Sequence, residues 1–235
     1  MPVHIRARRE DIARAVLAVG DPGRARRLSR LLDNPRLVNE YRCLLVYTGE
    51  WRGEPVTIAT HGVGAGSASI VFEELIQLGA ERIVRLGTAG GVRGSLEPGT
   101  VVIADSASSF PGGCGLAQYA PGLVPALAPD PLLTARLYEE LRAGGFEPVV
   151  GTVHCSDAFY AEDRDLGDRL ARLGAVAIEM EAAPLFLISR MRGVKAGAVF
   201  IVSNIIGSRE FLGDEELGRK VDAVAPAILD VLVRD

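Results

Sequence analysis

Short apolar runs that stop abruptly at glycine or polar residues constrain this chain more than any other feature. Ala15–Val19 runs into Gly20-Asp21-Pro22-Gly23-Arg24, and Ile83-Val84-Arg85-Leu86 runs into Gly87-Thr88-Ala89-Gly90-Gly91. Residues 175–178 run into Glu179-Met180-Glu181, and residues 197–203 end at Asn204. Runs of this length suit buried strands. Further strands are expected at 44–48, 56–60, 101–105 and 149–153, with a hairpin through Trp51-Arg52-Gly53-Glu54-Pro55. Helices are expected at 24–32, at 67–78 (Ser67 as cap, Gly79 as stop) and from Asp130-Pro131 to 142. Two more follow the carboxylates near 181 and begin near Asp214, the last with a kink at Pro226. Strands alternating with helices predict an α/β fold, and such folds place ligands at strand carboxyl ends.

The polar groups at those ends carry the chemistry. Arg85 interrupts an apolar run, which is costly unless something pairs with it. With Thr88 and the glycine backbone it makes an anion site. The same residues also fit a glycine turn with Arg85 paired to an internal acid. Gly20 and Arg24 stand at a helix start, where free N–H groups favour anions; ordinary strand-to-helix punctuation reads the same. Phe159 and Tyr160 could stack on a flat ligand or pack under a loop. Glu179 and Glu181 need hydrogen-bonding partners at the end of a buried run; sugar hydroxyls would serve, as would a helix N-terminus. Residues 106–129, rich in Gly, Pro and Ser, read as a functional loop.

Several classes are excluded. His61-Gly62-Val63-Gly64-Ala65-Gly66 brings its third glycine one residue too early for a dinucleotide fingerprint. A formal charge of −4 gives no global field for nucleic acid. No apolar run has the length of a membrane span, and no signal peptide is expected. Cys43, Cys114 and Cys155 lie far apart in sequence without CxxC spacing, so no metal site is expected and a reduced cytoplasm is. With 235 residues, 48% of them hydrophobic, and no repeat or linker, one domain spanning 1–235 is expected.

The motifs become specific in their order. Pro2-Val3-His4-Ile5, Gly20-Asp21-Pro22-x-Arg24, Asn39-Glu40-Tyr41-Arg42, Arg85-Leu86-Gly87-Thr88, Phe159-Tyr160, Glu179-Met180-Glu181 and Val202-Ser203-Asn204 follow one another. This string resembles the nucleoside phosphorylases that include bacterial purine nucleoside phosphorylase, uridine phosphorylase and archaeal methylthioadenosine phosphorylase. The resemblance implies a single three-layer α/β/α domain with a central mixed sheet. It also implies a homo-oligomer, commonly a hexamer built as a trimer of dimers, with shared active sites. Phosphate would be held by Gly20, Arg24, Arg85 and Thr88, with Arg42 from the neighbouring subunit. Ribose would be held by Met180 and Glu181, with His4 from the neighbour on the 5′-hydroxyl. Phe159, Ile178, Glu179 and Asn204 would surround the base, and Asn204, Arg85 and Arg24 would carry the catalysis.

The implied reaction is phosphorolysis of a nucleoside, with inorganic phosphate as co-substrate and no metal or organic cofactor. Adenosine-cleaving relatives carry aspartate where this chain has Asn204, which points to 6-oxopurine nucleosides. Uridine phosphorylase and methylthioadenosine phosphorylase are the alternatives; no glutamine for reading uracil lies between Tyr160 and Glu179. Arg219 matches only loosely the last-helix arginine of some relatives. A hydrolase or a nucleoside sensor on the same fold would have no use for Arg24, Arg42 and Arg85 together.

Overall fold

The computed structural model describes residues 2–92, 96–161, 165–208 and 211–234. The first strand, β1 (Ala15–Val19), is buried along its whole length. Helix α1 (Pro22–Leu28) follows, with Pro22 in its first turn and the Asp21 carboxylate accepting from the N–H groups of Gly23 and Arg24. The edge strand β2 (Asp33–Asn39) leads to the hairpin of β3 (Val46–Trp51) and β4 (Glu54–Thr60), closed by Arg52 and Gly53 at φ 53° and 82°. Two positive φ values at the turn match the right-handed twist of the strands.

Helix α2 (Ala65–Gln77) has Gly64 as its N-cap, three residues before the expected Ser67 cap. The Ser67 hydroxyl instead donates to the carbonyl of His61 at 2.7 Å. Gly79, at φ +106°, stops the helix as expected. The chain continues through β5 (Arg82–Gly91), β6 (Val101–Ser109), α3 (Leu116–Tyr119), α4 (Pro131–Ala143), β7 (Val149–Cys155) and α5 (Leu166–Arg172). It ends with β8 (Ala175–Glu179), α6 (Ala182–Arg192), β9 (Lys195–Ile205) and α7 (Asp214–Arg234), which runs helical through Pro226.

The strands form one mixed sheet in the order β2-β3-β4-β1-β5-β8-β7-β6-β9, and β9 returns to pair with β5. Strands β5, β8, β7, β6 and β9 thus close on themselves, while β1 to β4 form an open wing. Helices cover both faces. Phe72 of α2 and Phe186 of α6 share one core with inward residues of the sheet. Leu133 and Leu137 of α4 and Ile228 and Leu229 of α7 share the other. This is the three-layer α/β/α arrangement, with a partly closed middle layer. Among the described residues no helix is long and apolar enough to cross a membrane.

One correction positions the site. The glycine stretch after Leu86 is not a loop, because β5 continues to Gly91. Strand β9 pairs with it throughout, from Arg82↔Lys195 to Gly91↔Ile205. On its other edge, β1 accompanies it only as far as Arg85, and β8 joins only at Gly90. A gap of open strand edge between these partners is where the polar residues gather.

Candidate active site

The carboxyl ends of β1, β4, β5, β8 and β9 surround a cavity of about 390 Å³. Its walls include Gly20, Arg24, Gly62, Val63, Arg85, Thr88, Phe159, Ile178, Glu179, Met180, Glu181, Ser203, Asn204 and Phe211. The strand period of two puts Arg85 and Gly87 on one face of β5. A Cβ on Gly87 would lie 2.0 Å from Arg85 Nη1, so only glycine lets the guanidinium lie there. Phe200 of β9 supports the guanidinium from 4.8 Å.

Arg85 is buried and pairs with internal acids, which was the second of the two sequence expectations for it. Its Nη2 donates to Glu181 Oε2, and Nη1 lies 3.6 Å from Glu179 Oε2. Burial alone would lower its pKa, but Glu181 and then Glu179 outweigh burial and hold the guanidinium above its ordinary value. Even so, Nε and Nη1 have no hydrogen-bond partner among the described residues. Arg24 approaches from α1 and donates to the carbonyl of Leu86 at 3.3 Å. Burial, and then repulsion from Arg85, lowers its pKa to about 10, so it is still cationic at neutral pH. The N-terminus of α1 does not offer the expected free N–H groups, since the Asp21 carboxylate already takes those of Gly23 and Arg24 at 2.8 and 3.1 Å.

The two glutamates divide their work. Glu179 turns inward and accepts from the N–H groups of Glu181 and Ala182 at 2.8 and 2.9 Å, capping α6. Burial raises its carboxyl, and Arg85 works against that rise. Its carboxylate is therefore engaged at the helix start, while the residue also lines the cavity. Glu181 accepts from Gly64 N at 2.6 Å with Oε1 and from Arg85 with Oε2, in the wall of the cavity. Also in the wall, Ser203 Oγ donates to Asn204 Oδ1 at 3.0 Å. Among the described residues the amide NH2 of Asn204 makes only a long contact, 3.4 Å, to the carbonyl of Ile205.

A model of the phosphorylase superfamily matches residues 14–234. The chain belongs to the phosphorylase superfamily. Within that superfamily it is 37% identical over 222 residues to a protein of Jannaschia sp. named purine nucleoside phosphorylase DeoD-type, which covers 92% of each chain. It is 35% identical to a Treponema pallidum protein named uridine phosphorylase, over 85% of this chain and 80% of that one. A purine nucleoside phosphorylase from Toxoplasma gondii, solved with immucillin-H, shares the superfamily fold. That match has a TM-score of 0.88 at 23% identity and covers 100% of this chain and 96% of that one.

Ten of the twelve superfamily motif positions proposed from sequence meet in the cavity: Gly20, Arg24, Arg85, Thr88, Phe159, Ile178, Glu179, Met180, Glu181 and Asn204. Two do not. The His4 imidazole is paired with Glu74, and Arg42 is exposed beside Tyr41. Arg219 pairs with Glu215 at an exposed position of the last helix and does not line the cavity. Tyr160 is almost fully exposed and touches Phe159 edge-on, without lining the cavity.

Sequence reasoning missed Gly62, Val63, Ser203, Ile206 and Phe211 as cavity residues. Ser203 had a signal, its place beside Asn204. Phe211 had none; an isolated antiparallel bridge to Asn204 brings it over the cavity. The cysteines, far apart in sequence, are not all apart in space: the Sγ atoms of Cys114 and Cys155 are 3.0 Å apart.

Proposed function

We propose that this phosphorylase cleaves the N-glycosidic bond of purine nucleosides, 6-oxopurines by preference, with phosphate as co-substrate and without metal or organic cofactor. The observation that carries this is Arg85. It is buried and paired with carboxylates, yet two of its nitrogens have no hydrogen-bond partner among the described residues, at the wall of a cavity that also holds Arg24 and Thr88. Buried donors without partners cost free energy, and an entering phosphate dianion would satisfy them. The same arginine touches Glu181, so the anion and the sugar acid are held in one frame.

In the proposed reaction a phosphate oxygen attacks the anomeric carbon and the bond to the base breaks, with its electron pair leaving on the base. Arg24, Arg85, Thr88 and Gly20, with a neighbour's Arg42, place the phosphate, whose own charge stabilises the oxocarbenium-like sugar. Glu181 still has lone pairs for the 2′- and 3′-hydroxyls, with Met180 against the ring. Phe159 and Ile178 pack on the base. Ser203 fixes the oxygen of Asn204, so the NH2 donates toward N7 and O6, both acceptors in a 6-oxopurine. An amide does not give up its proton at neutral pH, so the departing base is stabilised as an anion by hydrogen bonding and takes its proton from solvent.

His4 and Arg42 do not line the cavity of their own chain, which supports a homo-oligomer, a hexamer on the superfamily pattern, with sites shared between subunits. A cytoplasmic location belongs to the same proposal and rests on cysteine usage.

The test is kcat/KM for inosine, guanosine, adenosine and uridine, with and without phosphate, on the wild type and Asn204→Asp. Inosine and guanosine should lead, with strict phosphate dependence. The aspartate, once protonated, can give N7 a proton and accept from the 6-amino group. It should raise adenosine relative to inosine by about ten- to a hundredfold. Base release without phosphate would make the chain a hydrolase. Because a uridine phosphorylase is among the relatives, uridine stays in the panel; a uridine preference would overturn the purine assignment.

A further inference from the structure

Glu74 lies buried on α2, outside the cavity, and gathers the start of the chain. Its Oε1 accepts from Val3 N at 2.9 Å and from His4 Nδ1 at 2.8 Å. Its Oε2 accepts from His4 N at 2.9 Å and from Ile5 N at 2.6 Å. Three successive backbone N–H groups and one ring nitrogen thus converge on a single carboxylate. Burial alone would raise its carboxyl, but the bonds from Ile5, His4 and Val3 outweigh burial and hold it below its ordinary value.

A carboxylate can only accept, so Nδ1 of His4 must carry a hydrogen. In the neutral ring Nε2 is then a bare acceptor. Among the described residues Nε2 has no hydrogen-bond partner, and the His4 side chain is 23% exposed. We propose that Glu74 is a specificity-determining positioning residue: it presents His4 Nε2 as an acceptor, so that the site His4 enters selects nucleosides bearing a 5′-hydroxyl over 5′-deoxy and 5′-alkylthio nucleosides. This rests on the placement of His4 in a neighbouring subunit's cavity proposed above. A 5′-hydroxyl donates to Nε2; a methyl group or thioether cannot. A site with a buried or oriented acceptor discriminates against the analogue that leaves it unpaired.

Two measurements test the proposal. The first is the ¹⁵N spectrum of His4 in the wild-type protein under conditions where its ring is neutral. Hydrogen on Nδ1 is expected, and hydrogen on Nε2 overturns the proposal without any variant having to fold. The second is kcat/KM for inosine against 5′-deoxyinosine in wild type, Glu74→Gln, His4→Ala and the double variant. The wild type should prefer inosine by about ten- to a hundredfold, the worth of one well-placed hydrogen bond. Both single variants should bring that ratio towards one, with the loss falling on inosine, and the double variant should add nothing. If His4→Ala abolishes the preference and Glu74→Gln keeps it, the role of Glu74 is refuted while the placement of His4 stands. If both variants keep it, the placement of His4 is itself wrong.

Discussion

The floor of the cavity and the segment around His4 and Arg42 are both built from charged residues, but they are finished differently. On the floor, Arg85, Glu179 and Glu181 are buried and ion-paired within one chain. Around His4 and Arg42, comparable ordering lies outside the cavity of the same chain. Glu74 clamps residues 3–5, Arg6 lies over the Tyr41 ring at 3.4 Å, and Arg42 and Cys43 hold φ values of 56° and 58°. Positive φ in a non-glycine residue costs about 1–3 kcal/mol and persists only where surroundings enforce it. The floor is paired within its own chain but leaves two Arg85 nitrogens without a hydrogen-bond partner among the described residues, whereas the second region orders residues that do not line this cavity. The active site shared between subunits proposed above would require that contrast.

The largest effect should come from breaking the floor. Arg85→Ala leaves Glu179 and Glu181 without their cation, and such losses cost about 3–5 kcal/mol. Phosphorolysis, followed as ribose 1-phosphate formation, should fall by at least about a hundredfold, with nucleoside binding less affected. A variant that keeps its rate and phosphate dependence would remove Arg85 from the site.

The next test separates the two regions. Subunits carrying His4→Ala with Arg42→Ala, and subunits carrying Glu181→Ala, should each be inactive alone. After subunit exchange the mixture should regain partial activity, because some cavities then combine an intact floor with an intact neighbour. No recovery despite proven exchange, or a fully active monomer in sedimentation, would show that His4 and Arg42 serve their own chain or nothing.

The smallest effect marks the boundary of the site. Arg219→Ala removes an exposed i,i+4 pair with Glu215 and should change both stability and kcat/KM by less than about 0.5 kcal/mol. A tenfold loss of kcat would bring the last helix into the chemistry.

Much of this was legible in local chemistry. The hairpin turn at Arg52-Gly53, the Asp130-Pro131 helix start and the Gly79 stop were readable because each depends on the backbone preferences of a few adjacent residues. So were the polar residues at the ends of apolar runs, since a charge such as Arg85 in a buried strand demands a partner. Edge strand β2 was not readable: it is largely exposed and interrupted by Pro35, so no alternation marks it. Helix α5, only 7 residues long, lacks a side-chain cap to announce it.

By itself, the sequence determined the alternation of strands and helices, the positions where polar groups end those strands, and the family to which their order belongs. Tertiary structure alone decided that Gly87–Gly91 is strand, because pairing with β9 overrides the weak strand preference of glycine. It also decided that Glu179 caps α6 while Glu181 meets Arg85. Two carboxylates two residues apart are chemically alike in sequence, and only the direction each takes from the end of β8 separates their roles.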